Sequence, residues 1–210
     1  MLLCDFGNLE REVAQLEEAG VEAIHLDVMD GQFVPNITYG MPIVQAFRRL
    51  TDMTIDVHLM IQEPAKYASQ FVQAGADSIT FHIEAHESPA ELLTEIQDMG
   101  TLAGLAINPS TDVKKVLPYL PACDLILVMS VEAGFGGQAF NESMLDRTRQ
   151  IRKEFGPELL IEMDGGIGEK TIHDCCEAGA DLLVVGSAIF GKPRYGDAIA
   201  RLRTVMAADS

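Results

Sequence analysis

Two periodicities alternate from one end of the chain to the other. Short apolar, β-branched runs recur at residues 22–28, 54–60, 78–84, 101–107, 124–129, 159–163 and 181–185, each the length of a buried strand. Between some of them lie segments whose apolar residues fall at three- and four-residue spacing: Asn8 to Glu18, Pro64 to Gln73, Pro89 to Met99 and Glu142 to Glu154. That spacing predicts amphipathic helices. The strand runs are apolar almost throughout rather than at every second position, so both faces are expected to be covered, as in a parallel sheet wrapped by helices.

An internal echo sharpens this picture. Glu18 to Asp27 (EAGVEAIHLD), Gln73 to His82 (QAGADSITFH) and Glu177 to Gly186 (EAGADLLVVG) follow one plan. Each reads as a helix end, a glycine stop, a short turn and a buried strand, the αβ joint of a repeated unit. A short apolar stump at Met1 to Cys4 brings the expected strands to eight, or about 26 residues per unit, short for a (β/α)8 TIM barrel. An open doubly wound sheet is the rival architecture. No linker, Pro/Ser-rich break or shift of composition divides residues 1–210, so a single compact α/β barrel domain with a truncated first strand is expected.

Composition narrows the function. Fifteen basic and 32 acidic residues give a formal charge of −17, which argues against nucleic acid and against an anionic membrane surface. Apolar residues make up 48% and charged residues 22%, ordinary globular usage. No apolar stretch is long enough to span a membrane, and the N-terminus lacks the basic and apolar regions of a signal peptide. Cysteines at 4, 123, 175 and 176 form no metal-type spacing, so reduced thiols in a cytoplasmic protein are expected.

Catalytic groups of such a barrel sit at the C-terminal ends of its strands, and polar residues interrupt the apolar runs there. His25 and Asp27 are two apart and share one side of their strand; so do Asp56, His58 and Met60, and so do His82 and Glu84. Asn108-Pro109 and Asp164-Gly165-Gly166 end two others. Charges are costly in a barrel interior unless paired or bound to a cation. His25, Asp27, His58 and Asp164 form a plausible set for one divalent metal ion, with zinc, iron, manganese and cobalt all compatible with nitrogen and carboxylate ligands. His82 and Glu84 obey the same positional rule and are expected to line or support the site.

Glycines cluster late in the chain, at Gly134-Phe135-Gly136-Gly137, Gly165-Gly166 and Gly186-Ser187. Converging backbone amides at such places suit a phosphate group; tight turns are the plainer explanation. Two nucleotide motifs are near misses. Gly134-x-Gly136-x-x-Ala139 lacks the acidic partner of a dinucleotide site. Gly186 to Lys192 carries Pro193 where a P-loop needs Ser or Thr.

At this point several blocks resemble one family. His25-Leu-Asp-Val-Met-Asp-Gly-Gln-Phe-Val-Pro-Asn36 is similar to the signature of ribulose-phosphate 3-epimerases. Asp56-Val-His58-Leu-Met60, Val128-Met-Ser-Val-Glu-Ala-Gly-Phe-Gly-Gly-Gln138 and Glu162-Met-Asp-Gly-Gly-Ile167 follow in the family's order. The resemblance implies a TIM barrel that interconverts D-ribulose 5-phosphate and D-xylulose 5-phosphate with one divalent metal, in the pentose phosphate pathway, often as a homo-oligomer. It places the metal ligands on His25, Asp27, His58 and Asp164, with His58 also near substrate, and the acid/base pair on Asp27 and Asp164. It assigns phosphate binding to the three glycine segments and site lining to Met29, Met60 and Met129. The family's opening Pro-Ser, whose Ser touches substrate, has no counterpart here, and Ala133 stands where proline is common.

Removing the C3 proton and returning one to the opposite face needs two acid/base groups flanking the sugar, and the negative charge left on oxygen suits a Lewis acid. A 3-epimerase for a hexulose phosphate such as allulose 6-phosphate would use the same chemistry. Decarboxylases and lyases of related barrels carry Asp-x-Lys-x-x-Asp where this chain has Asp56-x-His58-x-x-Ile61. A barrel that only binds sugar phosphate is the non-enzyme alternative.

Overall fold

The computed structural model describes residues 1–207. Seven strands run in parallel in one sheet, in chain order: β1 (Ala23–Met29), β2 (Thr54–Met60), β3 (Ser78–His82), β4 (Leu102–Ile107), β5 (Leu125–Met129), β6 (Leu160–Asp164) and β7 (Leu182–Val184). The seven apolar runs from residue 22 onward all form strands, shifted by at most two residues. The helices on the outside are α1 (Leu9–Glu18), α2 (Met41–Leu50), α3 (Pro64–Ala74), α4 (Pro89–Asp98), α5 (Ser143–Phe155), α6 (Ile172–Glu177), α7 (Ser187–Phe190) and α8 (Tyr195–Met206). Between β4 and β5 the chain makes only 3₁₀ turns, at Val113–Lys115 and Leu117–Ala122. Pro118 and Pro121 fall in that stretch, and proline in a helix interior removes a backbone donor and clashes with the preceding turn.

The barrel is nearly closed rather than closed. Met1 to Cys4 is a turn, with Cys4 N–H donating to Met1 O at 3.1 Å, and it joins no strand. The expected eighth strand therefore does not form. Asp5, directly after this turn, accepts from Gly7 N–H at 3.0 Å and caps a 3₁₀ turn at Phe6–Asn8. Met1 still docks, its nitrogen donating to His25 O at 2.6 Å. On the helical side, Tyr195 of α8 donates to the buried Glu12 of α1 at 2.5 Å, and Arg203 donates to the carbonyls of Ala19 and Gly20. The last helix is thereby tied to the first.

Residues alternate along each strand between two environments. One set, including Leu26, Val57, Phe81, Leu105, Val128 and Met163, packs into the core beneath the helices. The other set points into the barrel. There β4 and β5 supply Ala106, Leu125, Leu127 and Met129, while β1, β2, β3 and β6 supply His25, Asp27, Asp56, His58, Thr80, His82 and Glu162, all buried. Half of the interior is thus the usual apolar filling of a barrel, and half is polar and ionisable.

The repeated αβ joints take the shape that the sequence echo predicts. Gly20, Gly75 and Gly179 all have positive φ (71°, 107° and 99°), which favours glycine over any residue with a Cβ. At the N-terminal rim, the aspartate before a strand takes a fixed set of partners. Asp77 accepts from Ile55 N–H at 2.8 Å and Arg48 at 2.9 Å. Asp124 accepts from Ala103 N–H at 2.9 Å and Gln97 at 3.0 Å. Asp181 accepts from Ile161 N–H at 2.8 Å and from Arg152.

Candidate active site

The C-terminal mouth gathers polar groups from separate strands. The register that sets Asp27 opposite His58 also sets His25 opposite Asp56 and Met29 opposite Met60; Met129 lies opposite Asp164. One ligand atom from each of His25, Asp27, His58 and Asp164 lies within 4.8 Å of the others. All four residues expected to meet at a cation are therefore brought together. A second grouping, His25, Asp56 and Glu162, shares His25 and lies one inward step earlier on the strands. Sequence reasoning did not give Asp56 or Glu162 a role. The signal was available, because Asp56 and Glu162 stand two residues before His58 and Asp164 and so point the same way.

Ring nitrogens distinguish the two groupings. His25 Nδ1 lies 2.6 Å from Asp56 Oδ2, and Asp56 in turn accepts from Ser78. His58 Nε2 lies 2.8 Å from His82 Nε2. The remaining nitrogens, His25 Nε2 and His58 Nδ1, are buried and make no hydrogen bond; they sit 3.4 and 3.5 Å from Asp27 Oδ1. Two orphaned nitrogen donors facing one carboxylate, with a second carboxylate alongside, fit a divalent cation. The upper grouping offers both free ring nitrogens; in the lower one the His25 nitrogen is already taken by Asp56, and only Glu162 Oε2 is without a partner.

Electrostatics supports the same conclusion. Burial opposes ionisation of Asp27, but the close approach of His25 and His58 holds its carboxyl far below the ordinary range. Asp164 is pushed up, first by burial and then by the charge of Asp27. Glu162 is pushed up by burial and by Asp56. Burial works to lower His25, yet Glu162, Asp56 and Asp27 raise it well above its usual value. His58 is depressed to about 4 by burial, so it is neutral at pH 7. Four carboxyl groups crowd around one chargeable histidine, and a cation would balance them. Asp27 and Asp164 are driven in opposite directions, the condition under which one carboxylate can accept a proton while another donates one.

A cavity opens beside this cluster. Asp27, Asp164, Met29, Met60 and Met129 line it, as do Gly134, Phe135, Gly136, Gly137, Gly165, Gly166, Gly186 and Ser187. All three glycine segments thus share one cavity with both aspartates. The turn-glycine explanation also holds at Gly166, where φ is +64° and a Cβ would come within 2.7 Å of Phe140 N. Leu2 and Leu3 of the N-terminal turn complete the wall, a contribution that the apolar stump did not suggest. His58 is fully buried and lies behind the wall rather than on it. The loop after β5 is pinned from two sides: Asn36 donates to Gly134 O at 2.8 Å, and Ala133 N–H donates to Asn108 Oδ1 at 3.0 Å. Among the described residues no helix is long and apolar enough to cross a membrane.

Comparison with known proteins agrees with this geometry. Residues 1–190 match the ribulose-phosphate 3 epimerase family. A ribulose-phosphate 3-epimerase from Synechocystis sp. is 48% identical over 208 residues, covering 97% of this chain and 90% of that protein. Its counterpart from Bacillus subtilis is 43% identical over 207 residues, covering 97% and 95%. Among solved structures, a 3-hexulose-6-phosphate synthase superposes with a TM-score of 0.74 at 19% identity, over 96% of this chain and 94% of the other. A 3-keto-L-gulonate-6-phosphate decarboxylase from Vibrio cholerae gives 0.70 at 19%, over 95% and 92%. At that identity these structures speak to the barrel fold alone.

Proposed function

The chain belongs to the ribulose-phosphate 3 epimerase family, and from that premise we propose that it interconverts D-ribulose 5-phosphate and D-xylulose 5-phosphate by proton transfer at C3 between Asp27 and Asp164. It is an epimerase, an enzyme of the isomerase class. The observation that carries the residue assignment is the placement of two oppositely tuned aspartates, from the distant strands β1 and β6, on one cavity with the three glycine segments.

Asp27, ionised at pH 7, is the group poised to accept a proton. Asp164, whose carboxyl is raised, is poised to hold one and deliver it to the opposite face; running the reaction backwards exchanges their tasks. His25 Nε2, His58 Nδ1 and the two carboxylates would hold the divalent cation, with zinc, iron, manganese and cobalt all suited to the set. Bound there, it supplies Lewis-acid stabilisation of the negative charge that develops on the C2 and C3 oxygens. Met29, Met60 and Met129 offer no exchangeable proton, so they exclude water from an enediolate without quenching it. Backbone amides of the three glycine segments, Gly134 to Gly137, Gly165-Gly166 and Gly186-Ser187, would take the phosphate, with no arginine or lysine on the cavity wall.

The test is an epimerase assay on both pentulose 5-phosphates and on allulose 6-phosphate, before and after chelator treatment. Turnover of the pentulose phosphates that chelation abolishes and metal restores is the expected result. Preference for the hexulose phosphate would reassign the substrate; binding without turnover would refute the catalytic reading.

A further inference from the structure

His58 can take part in holding a cation only if Nδ1 presents a lone pair, and the proton on its ring must then sit on Nε2. That nitrogen faces His82 Nε2 at 2.8 Å, and the two rings stack with centroids 4.9 Å apart. Both residues are fully buried, and the ring of Phe33 covers His82 at 4.8 Å, so water does not stand in for either partner. Across such a contact one nitrogen must donate and the other accept.

The far side of His82 decides which. Its Nδ1 has two neighbours, Glu84 Oε2 at 3.1 Å and Asn108 Nδ2 at 3.2 Å. The Asn108 amide is fixed in orientation because its Oδ1 accepts from Ala133 N–H, so it offers His82 a donor. The two neighbours therefore demand opposite protonation of the same nitrogen. With a proton on Nδ1, His82 donates to Glu84, accepts from His58 Nε2–H, and leaves His58 Nδ1 bare. With Nδ1 bare and bonded to Asn108, His82 donates through Nε2, and the His58 proton moves to Nδ1, where it faces Asp27 and blocks ligation. Glu84 is held in place by Thr111 Oγ1 at 2.5 Å and Asn108 N–H at 3.0 Å, and a hydrogen bond to a carboxylate outweighs one from a neutral amide.

We propose that Glu84, acting through His82, is a positioning residue that keeps His58 in the tautomer with a free Nδ1. The inference rests on the metal reading above. It gives the two ligand histidines the same kind of support at different lengths: Asp56 orients His25 directly, and Glu84 orients His58 through one intervening imidazole.

The experiment uses the full chain, stripped with chelator and titrated with Zn²⁺ against a chromogenic competitor. Glu84→Gln removes the charge and keeps the shape; its zinc affinity is expected to fall about 10–100-fold, the usual size for loss of a partner that orients a metal ligand. Thr111→Val removes a different Glu84 bond while leaving the relay intact, and its loss should be smaller. A second readout needs no variant. In zinc-loaded protein labelled with ¹⁵N-histidine, His58 should carry its proton on Nε2 and His82 on Nδ1. Unchanged affinity in Glu84→Gln, or His82 protonated on Nε2 in the loaded protein, overturns the relay alone. Failure of the unaltered chain to take up zinc, cobalt or manganese overturns the metal reading and the relay with it.

Discussion

At the N-terminal rim, Asp77, Asp124 and Asp181 each accept one strand N–H and one side-chain donor from a neighbouring helix. At the mouth, Asp27, Asp56, Glu162 and Asp164 crowd around His25; the His25 and His58 nitrogens that face Asp27, and Glu162 Oε2, are buried without hydrogen-bond partners. Both sets are carboxylates at strand ends. The rim set is locally satisfied and stabilises the fold. The mouth set is over-supplied with negative charge, a costly arrangement that a bound cation would offset.

The largest expected effect separates the two regions by activity. Asp27→Asn or Asp164→Asn should lower turnover by at least about 10³-fold, near the upper part of what one acid/base group contributes. Exchange of the C3 proton with solvent, followed by NMR in D₂O, measures it; exchange at an unaltered rate in either variant would remove the two-aspartate assignment. In the chelator-treated protein, Asp164→Asn should raise the urea midpoint, because it deletes one of several buried like charges.

The rim should behave in the opposite way. Arg152 donates to the carbonyls of Gly156, Leu159 and Gly179 and to Asp181, so Arg152→Ala is expected to cost about 2–3 kcal/mol in urea unfolding. Its turnover per folded molecule should stay within about twofold, since the rim lies at the face of the barrel remote from catalysis. A large fall in activity without a fall in stability would erase the distinction between rim and mouth.

Glu84 tests the boundary, because it lies at the mouth yet is fully partnered. Burial pushes its carboxyl up, but His82, Thr111 and Asn108 N–H pull it down to about 2. A depressed carboxyl stabilises the fold above the unfolded value of about 4.3 and loses that contribution as pH falls toward 2. Urea midpoints of the metal-free protein between pH 5 and 3 should therefore fall more steeply in the unaltered chain than in Glu84→Gln. The smallest effect is expected at Gln97→Ala, which removes one neutral donor from Asp124 and should cost about 0.5–1.5 kcal/mol.

Periodicity alone carried much of the architecture. The strand runs, the glycine stops at 20, 75 and 179, and the positions of His25, Asp27, His58 and Asp164 at strand ends were all legible because side-chain direction follows residue spacing. The eighth strand was not legible, since a run of apolar residues does not say whether the backbone pairs with a neighbouring strand, and Met1 to Cys4 forms a turn instead. The segment between β4 and β5 yields 3₁₀ turns where a strictly repeating unit would have a helix.

What the sequence determined by itself is therefore the repeat and the inward-facing candidates, both local consequences of alternation along a strand. Only the tertiary structure decided how those candidates meet. The parallel register sets Asp27 against His58 and His25 against Asp56, and barrel curvature carries Asp164 of β6 to β1 across a span that no local pattern encodes. The tautomers and charges of these groups follow from that meeting, because desolvation and partner choice are properties of the assembled interior.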